Sequence, residues 1–202
     1  MEVMEIFTSF QCEGVFTGMP AVFLRLGGCN LNCEWCDTEY KKGKEISIEE
    51  IKDKILEEIL KNDVNLLVIT GGEPFLQKDE IEKLLLVLPK TLTIQFETNG
   101  TKDILISDEI SNNVFYVISP KINKKSIFEK YEKHDNAFFK FVISSENDID
   151  EISKIIKNYK KCVWLQPEYN NDKNNARLIL KSLDKMKNIR LSIQGHKYLN
   201  LR

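Results

Sequence analysis

Leu66-Leu67-Val68-Ile69 restricts what this chain can become more than any other stretch. A short run with no polar face reads as a strand that must be covered on both sides. Before it, Ser47-Ile48-Glu49-Glu50 has the Ser-x-x-Glu form of a capping box, and Ile48, Ile51, Ile55 and Ile59 follow on one face at helical spacing. Residues 47–61 are therefore predicted helical, and a second helix is predicted over about 77–88 with Ile81, Leu84, Leu85 and Leu88 inward. Further strand-like runs lie at 2–9, 21–26, 92–96, 114–118, 138–143, 162–166 and 190–194, with helical patterns near 147–160 and 174–187. Helix–strand alternation of this kind argues for a parallel sheet with right-handed crossovers.

A full eight-unit barrel needs about 250 residues, and this chain has 202. Two stretches look short of helix: 97–113 has little helical period, and 119–137 is charged and irregular, with 121–133 reading as a solvated loop. At least two helical layers are expected to be missing. The predicted architecture is α/β: a shortened, open partial (β/α) barrel with mostly parallel strands, formed by residues 1–202 as a single domain.

The chemistry begins where the run at 21–26 ends. Cys29, Cys33 and Cys36 follow it at C-x3-C-x2-C, at the strand end where parallel α/β barrels place their active sites. Structural metal sites usually close with four protein ligands, whereas catalytic ones keep a position open. The remaining cysteines and histidines, Cys12, Cys162, His134 and His196, are distant in sequence. Neither paired C-x2-C motifs nor one pair with two histidines is present, so zinc fits poorly. An iron–sulfur cubane held by three thiolates, with one iron exposed, fits better. Structural zinc with a remote fourth ligand and three ordinary buried thiols remain the alternatives.

A net charge of −2, from 29 basic and 31 acidic residues, creates no broad field for nucleic acid or an anionic membrane. No apolar run approaches membrane-spanning length, and Glu2 and Glu5 place acid where a signal peptide needs base. Five cysteines, three of them crowded together, do not form a disulfide framework. A cytoplasmic location is expected.

The cysteine spacing followed by Asp37-Thr38 resembles the radical S-adenosylmethionine (radical SAM) superfamily. Surrounding words narrow the resemblance to the 7-carboxy-7-deazaguanine synthase family. They are Glu5 to Gly14, Arg25, Trp35-Cys36-Asp37-Thr38, Thr70-Gly71-Gly72-Glu73-Pro74, Glu97-Thr98-Asn99-Gly100-Thr101, Ser119-Pro120-Lys121, Gln166-Pro167 and Gln194-Gly195-His196-Lys197. Together they span nearly the whole chain. The resemblance implies a 4Fe-4S cluster on Cys29, Cys33 and Cys36, S-adenosylmethionine on its open iron, and Mg2+ helped by Thr38. Trp35, Cys36, Asp37, Gly72, Glu73, Ser119, Pro120, Lys121 and Gln166, Pro167, Glu168 and Tyr169 are expected to hold the cofactor, with Glu73 and backbone carbonyls receiving its ammonium.

The implied substrate is 6-carboxy-5,6,7,8-tetrahydropterin. Arg25 offers a planar fork suited to its carboxylate, while Gln11, Cys12, Glu13, Thr70, Glu97 and His196 are expected along the heterocycle. The implied reaction takes hydrogen from substrate C6, contracts the six-membered ring, returns the hydrogen, releases ammonia and regenerates S-adenosylmethionine. A homodimer and an electron donor such as flavodoxin or ferredoxin are likewise implied. At Cys12 the family usually has glycine, which puts the backbone contact there in question. Two other readings stay open: a radical SAM activase that installs a glycyl radical on a partner enzyme, and a non-catalytic iron–sulfur or zinc module. The latter leaves Arg25 and Gly71 to Pro74 without a purpose.

Overall fold

The structure, a computed structural model, describes residues 1–33, 36, 43–104 and 113–201. Its strands are β1 (Glu2–Phe10), β2 (Pro20–Leu26), β3 (Lys44–Glu45), β4 (Leu66–Gly71), β5 (Thr93–Thr98), β6 (Val114–Ile118), β7 (Ala137–Ile143), β8 (Val163–Pro167) and β9 (Ile189–Leu191). Its helices are α1 (Ile48–Asn62), α2 (Lys78–Val87), α3 (Lys124–Tyr131), α4 (Glu146–Ile155), α5 (Asp172–Lys181) and α6 (Gly195–Leu199). The strands form one open sheet in the order β3-β1-β2-β4-β5-β6-β7-β8-β9. From β2 through β9 every pairing is parallel, while β1 joins β2 and β3 antiparallel. This is the open, shortened α/β sheet that the alternation predicts.

Side chains alternate across each strand, and the sheet uses the two sides differently. In β4, Leu67 and Ile69 join the large core beneath the helices, while Leu66 and Val68 join a smaller cluster with Phe7, Ala21 and Phe23. All four residues of Leu66 to Ile69 are fully buried, as a strand covered on both faces requires. In β7, Ala137, Phe139, Phe141 and Ile143 enter the large core. Phe138, Lys140 and Val142 alternate with them and therefore face the other way.

Helix α1 buries Ile51 and Ile55, with Ile48 and Ile59 packed partly against the core. Its cap is only half of the expected box. Ser47 accepts from the Glu50 N–H, but the Glu50 carboxylate turns outward to Lys54 at 2.7 Å. Helix α2 buries Ile81, Leu84 and Leu85 as predicted.

One expectation is corrected. The stretch 119–137 is not irregular throughout, because α3 occupies Lys124–Tyr131 and buries Ile127, Phe128 and Tyr131. Its lysines obscure an apolar face of only three residues. The crossover from β5 to β6 carries no helix among its described residues.

Candidate active site

The glycines after β4 bring the cysteine loop and the sheet into contact. Gly71 has φ +135°, and the Gly72 N–H bonds to the Leu26 carbonyl at 3.2 Å. A Cβ on Gly72 would lie 1.8 Å from the Gly28 oxygen, so only glycine permits this approach. The Glu73 N–H then bonds to Gly28 O at 2.9 Å, fixing the residue just before Cys29.

Glu73 ties the neighbouring loops together. Its carboxylate is 0% exposed and accepts from the Thr98 hydroxyl at 2.8 Å, the Asn99 N–H at 2.8 Å and the Phe75 N–H at 3.2 Å. Burial pushes its carboxyl above the ordinary value, against the pull of these donors. Asn99 in turn donates to Asn30 at 3.2 Å, and Asn30 donates to Thr101 at 2.8 Å. The words Gly-Gly-Glu-Pro and Glu-Thr-Asn-Gly-Thr are thus laced to the cysteine loop by hydrogen bonds. Protein donors surround the Glu73 carboxylate, and the cavity is lined by its neighbour Gly72.

A cavity of about 700 Å³ opens over the C-terminal ends of the parallel strands. Cys29, Cys33 and Cys36 form one part of its wall, and Gln11, Cys12, Glu13, Arg25, Thr70, Glu97 and His196 also line it. Gly72, Ser119, Lys121, Gln166, Pro167, Glu168 and Tyr169 border the same space. Pro120 is buried but does not line it. Trp35, Asp37 and Thr38 lie outside the described residues.

The cysteines fit a cluster better than a single ion. Burial raises the Cys29 and Cys33 thiols above their ordinary range, and the neighbouring cysteines push in the same direction. Crowded thiolates of this kind need a cationic centre. A tetrahedral structural ion asks for a fourth protein ligand, whereas a cubane lets each of the three thiolates take a different iron and leaves the fourth open.

The polar end is preorganised by short bonds. Glu97 accepts from Gln11 Nε2 at 2.9 Å, Gln95 Nε2 at 3.3 Å and the Thr70 hydroxyl at 3.3 Å. Arg25 donates through Nε to Glu5 at 2.8 Å, with its guanidinium 5.6 Å from the Phe7 ring centre. Lys121 donates to the Ser119 hydroxyl at 2.8 Å. Burial, with Lys140 adding repulsion, holds the Lys121 ammonium down at about 8 despite Glu13 and the cysteines. Gln166 accepts from the Ser192 hydroxyl at 3.0 Å.

The sequence reading missed Lys140, which is buried in β7 and pairs with Glu13. The available signal was a lysine inside the apolar run Ala137-Phe138-Phe139-Lys140-Phe141-Val142-Ile143. It also missed Asn99, Gln194 and Lys197 as cavity residues; the last two reach it from the start of α6 and its flank.

A parallel sheet delivering three cysteines and a glycine-rich turn to one cavity defines the class. The model of the Radical SAM superfamily matches residues 24–164, and the chain belongs to that superfamily. Its enzymes use a 4Fe-4S cluster and S-adenosylmethionine. Within it, the chain belongs to the 7-carboxy-7-deazaguanine synthase family. The synthase of Rickettsia prowazekii is 36% identical over 219 residues, covering 100% of this chain and 88% of the relative. That of Buchnera aphidicola is 33% identical and covers 99% of this chain and 98% of its own. Among solved structures, QueE from Escherichia coli matches with a TM-score of 0.68 at 26% identity, covering 96% of this chain and 93% of that one. Streptococcus suis SuiB matches at 0.60 and 17% identity, a likeness of fold alone.

Proposed function

We propose that this chain is a 7-carboxy-7-deazaguanine synthase that contracts the ring of 6-carboxy-5,6,7,8-tetrahydropterin and releases ammonia. One observation carries the reading: a single cavity is lined both by the three-cysteine loop and by a preset group of amide, hydroxyl, carboxylate and guanidinium side chains. A non-catalytic cluster module has no need of the second group.

When bound, the cluster and S-adenosylmethionine supply a primary carbon radical able to take a hydrogen atom from the substrate. The protein's part is to bind, orient and exclude water. Cys29, Cys33 and Cys36 hold the cluster. The backbone at Gly71 and Gly72 takes the cofactor's ammonium, Lys121 and Ser119 face its carboxylate and ribose, and Gln166 to Tyr169 close over it. Arg25 donates through Nε to Glu5, and its terminal nitrogens would meet the substrate carboxylate in a bidentate grip. Glu97, fixed by Gln11, Gln95 and Thr70, and Glu13 accept from the donor-rich edge of the heterocycle. Thr38 would help to hold a Mg2+ ion, which would supply a hard cation for the substrate carboxylate.

The same reading includes one domain, a homodimer, a cytoplasmic setting and a flavodoxin or ferredoxin as electron donor. Among the described residues no helix is long and apolar enough to cross a membrane. Anaerobic reconstitution with reductant, S-adenosylmethionine and carboxytetrahydropterin tests the function. Deazaguanine should accumulate without stoichiometric 5′-deoxyadenosine. Consumption of S-adenosylmethionine with the pterin untouched would favour an activase and end this proposal.

A further inference from the structure

Lys140 lies in β7 and Glu13 in the loop after β1, yet their side chains form a buried ion pair. In the sheet, β7 is four places from β2 and five from β1, so the contact is a chord across the curved inner face. Strand alternation aims Lys140 inward between Phe138 and Val142, while Phe139 and Phe141 pack into the core on the other side. The loop bearing Glu13 is anchored at several other points. Gln11 reaches Glu97 in β5, and Phe16 stands edge-on to Phe115 of β6 with ring centres 5.0 Å apart. Gly14 lies so near Val117 that a Cβ there would meet its side chain at 3.1 Å.

The pair is a poor device for stability. Removing both charges from water costs several kcal/mol per ion, and mutual attraction seldom returns more than that. It is a good device for fixing one carboxylate. Lys140 takes Glu13 Oε2, while Oε1 carries no hydrogen bond among the described residues and stands 3.9 Å from His196 Nδ1. Both Glu13 and Lys140 line the cavity.

We infer that Lys140 is a positioning residue for substrate: by holding Glu13 Oε2 it aims Oε1 into the cavity as an acceptor for the ring N–H and exocyclic amine of the pterin. The inference rests on the ring-contraction reading above. It also assigns the β1–β2 loop a purpose, since the strut sets how far that loop stands from β7.

The test uses holoenzyme under anaerobic conditions, with S-adenosylmethionine bound and fluorescent 6-carboxypterin as the probe. Lys140→Met should weaken pterin binding about tenfold or more, the loss expected when one partner of a buried charge pair is removed, while S-adenosylmethionine binding is not weakened and the electron spin resonance signal of the reduced cluster stays unchanged. Glu13→Gln should weaken it comparably, and the double variant should be no worse than the worse single one, because both changes remove one unit. If Lys140→Met fails to fold, the double variant decides the matter, since it leaves no buried charge alone. Weak pterin binding by a well-folded double variant supports the inference; parental affinity overturns it. Parental pterin affinity in Lys140→Met, or an equal loss for S-adenosylmethionine, overturns the inference while leaving the ring-contraction reading intact. Failure of the parent enzyme to bind pterin sinks that reading itself.

Discussion

Two lysine–carboxylate pairs lie on opposite faces of the same sheet. Lys140 and Glu13 meet on the inner face, with side chains 8% and 11% exposed. Lys124 and Asp148 meet on the outer helical layer at 2.7 Å, with side chains 15% and 16% exposed. The outer pair has ample company. Asp148 also accepts from the N–H and hydroxyl of Ser144 and of Ser145, completing the capping box of α4, and Lys124 reaches Glu151 at 2.8 Å. The inner carboxylate's Oε1 carries no hydrogen bond among the described residues and stands 3.9 Å from His196 Nδ1. A fully satisfied buried pair rigidifies the structure around it, whereas the remaining Glu13 oxygen belongs to a residue that lines the cavity. The outer face thus carries stability and the inner face carries chemistry.

The largest expected effect lies on the inner face. Cys33→Ala should abolish ring contraction, because the cluster loses one of its three thiolates, yet it should hardly move the urea midpoint of the apoprotein. Cys33 is only partly buried and belongs to no apolar cluster. A midpoint that fell as far as for a core truncation would break the division between faces. The converse change is Ile55→Ala, on the outer side of the sheet. Ile55 is fully buried in α1 beneath the large core, so its truncation should cost about 2–5 kcal/mol of stability. The folded fraction should keep its parental kcat/KM, measured with the concentration of native enzyme titrated by its iron content.

Residues whose role is set by periodicity were legible before the structure. Ile48, Ile51, Ile55 and Ile59 form the face predicted for α1, and Leu66 to Ile69 are covered on both sides. The cysteine loop and the residues around the cavity were legible for a different reason, since their spacing and order are themselves the signal. Three features were not legible. Helix α3 buries only Ile127, Phe128 and Tyr131 among many lysines, so its apolar face is too small to show through. The partner of Glu50 is settled by Lys54 competing for its carboxylate, a choice the Ser-x-x-Glu pattern cannot reveal. Lys140 owes its meaning to a residue 127 positions away, and no local pattern carries that distance.

The outer pair itself can be broken with acid. Burial alone would raise the Asp148 carboxyl, but the Lys124 ammonium and the Ser144 donors outweigh it and hold the group down at about 2, from an ordinary 3.8. A carboxyl depressed in the folded state stabilises above the unfolded value and loses that contribution as pH falls through the folded value. The contribution is therefore whole above about pH 4 and fades toward pH 2. Asp148→Asn should lower stability at pH 7 by about 1–2 kcal/mol, the lower end reflecting solvent screening. The gap between variant and parent should narrow over that acid window in urea titrations read by circular dichroism. A gap that stayed constant down to pH 2 would mean that the serine cap, and not the charge, accounts for the effect.

The smallest effect should come from Cys12, where the inner face meets the C-terminal helix. Its thiol receives the His196 backbone N–H, and the Gly195 backbone lies so close that a Cβ there would be 3.3 Å from Sγ. Burial and the nearby Glu13 carboxylate raise this thiol above its ordinary value, so at neutral pH it is a protonated packing group and not a nucleophile. Cys12→Ala gives up one weak hydrogen bond and a little contact, which should cost below about 1 kcal/mol in stability. Because His196 borders the cavity, the residual effect should fall on pterin KM and not on kcat. If kcat fell instead, with KM unchanged, the thiol would be taking part in the reaction, and the first loop would need a chemical role besides the positional one that Lys140 and Glu13 give it.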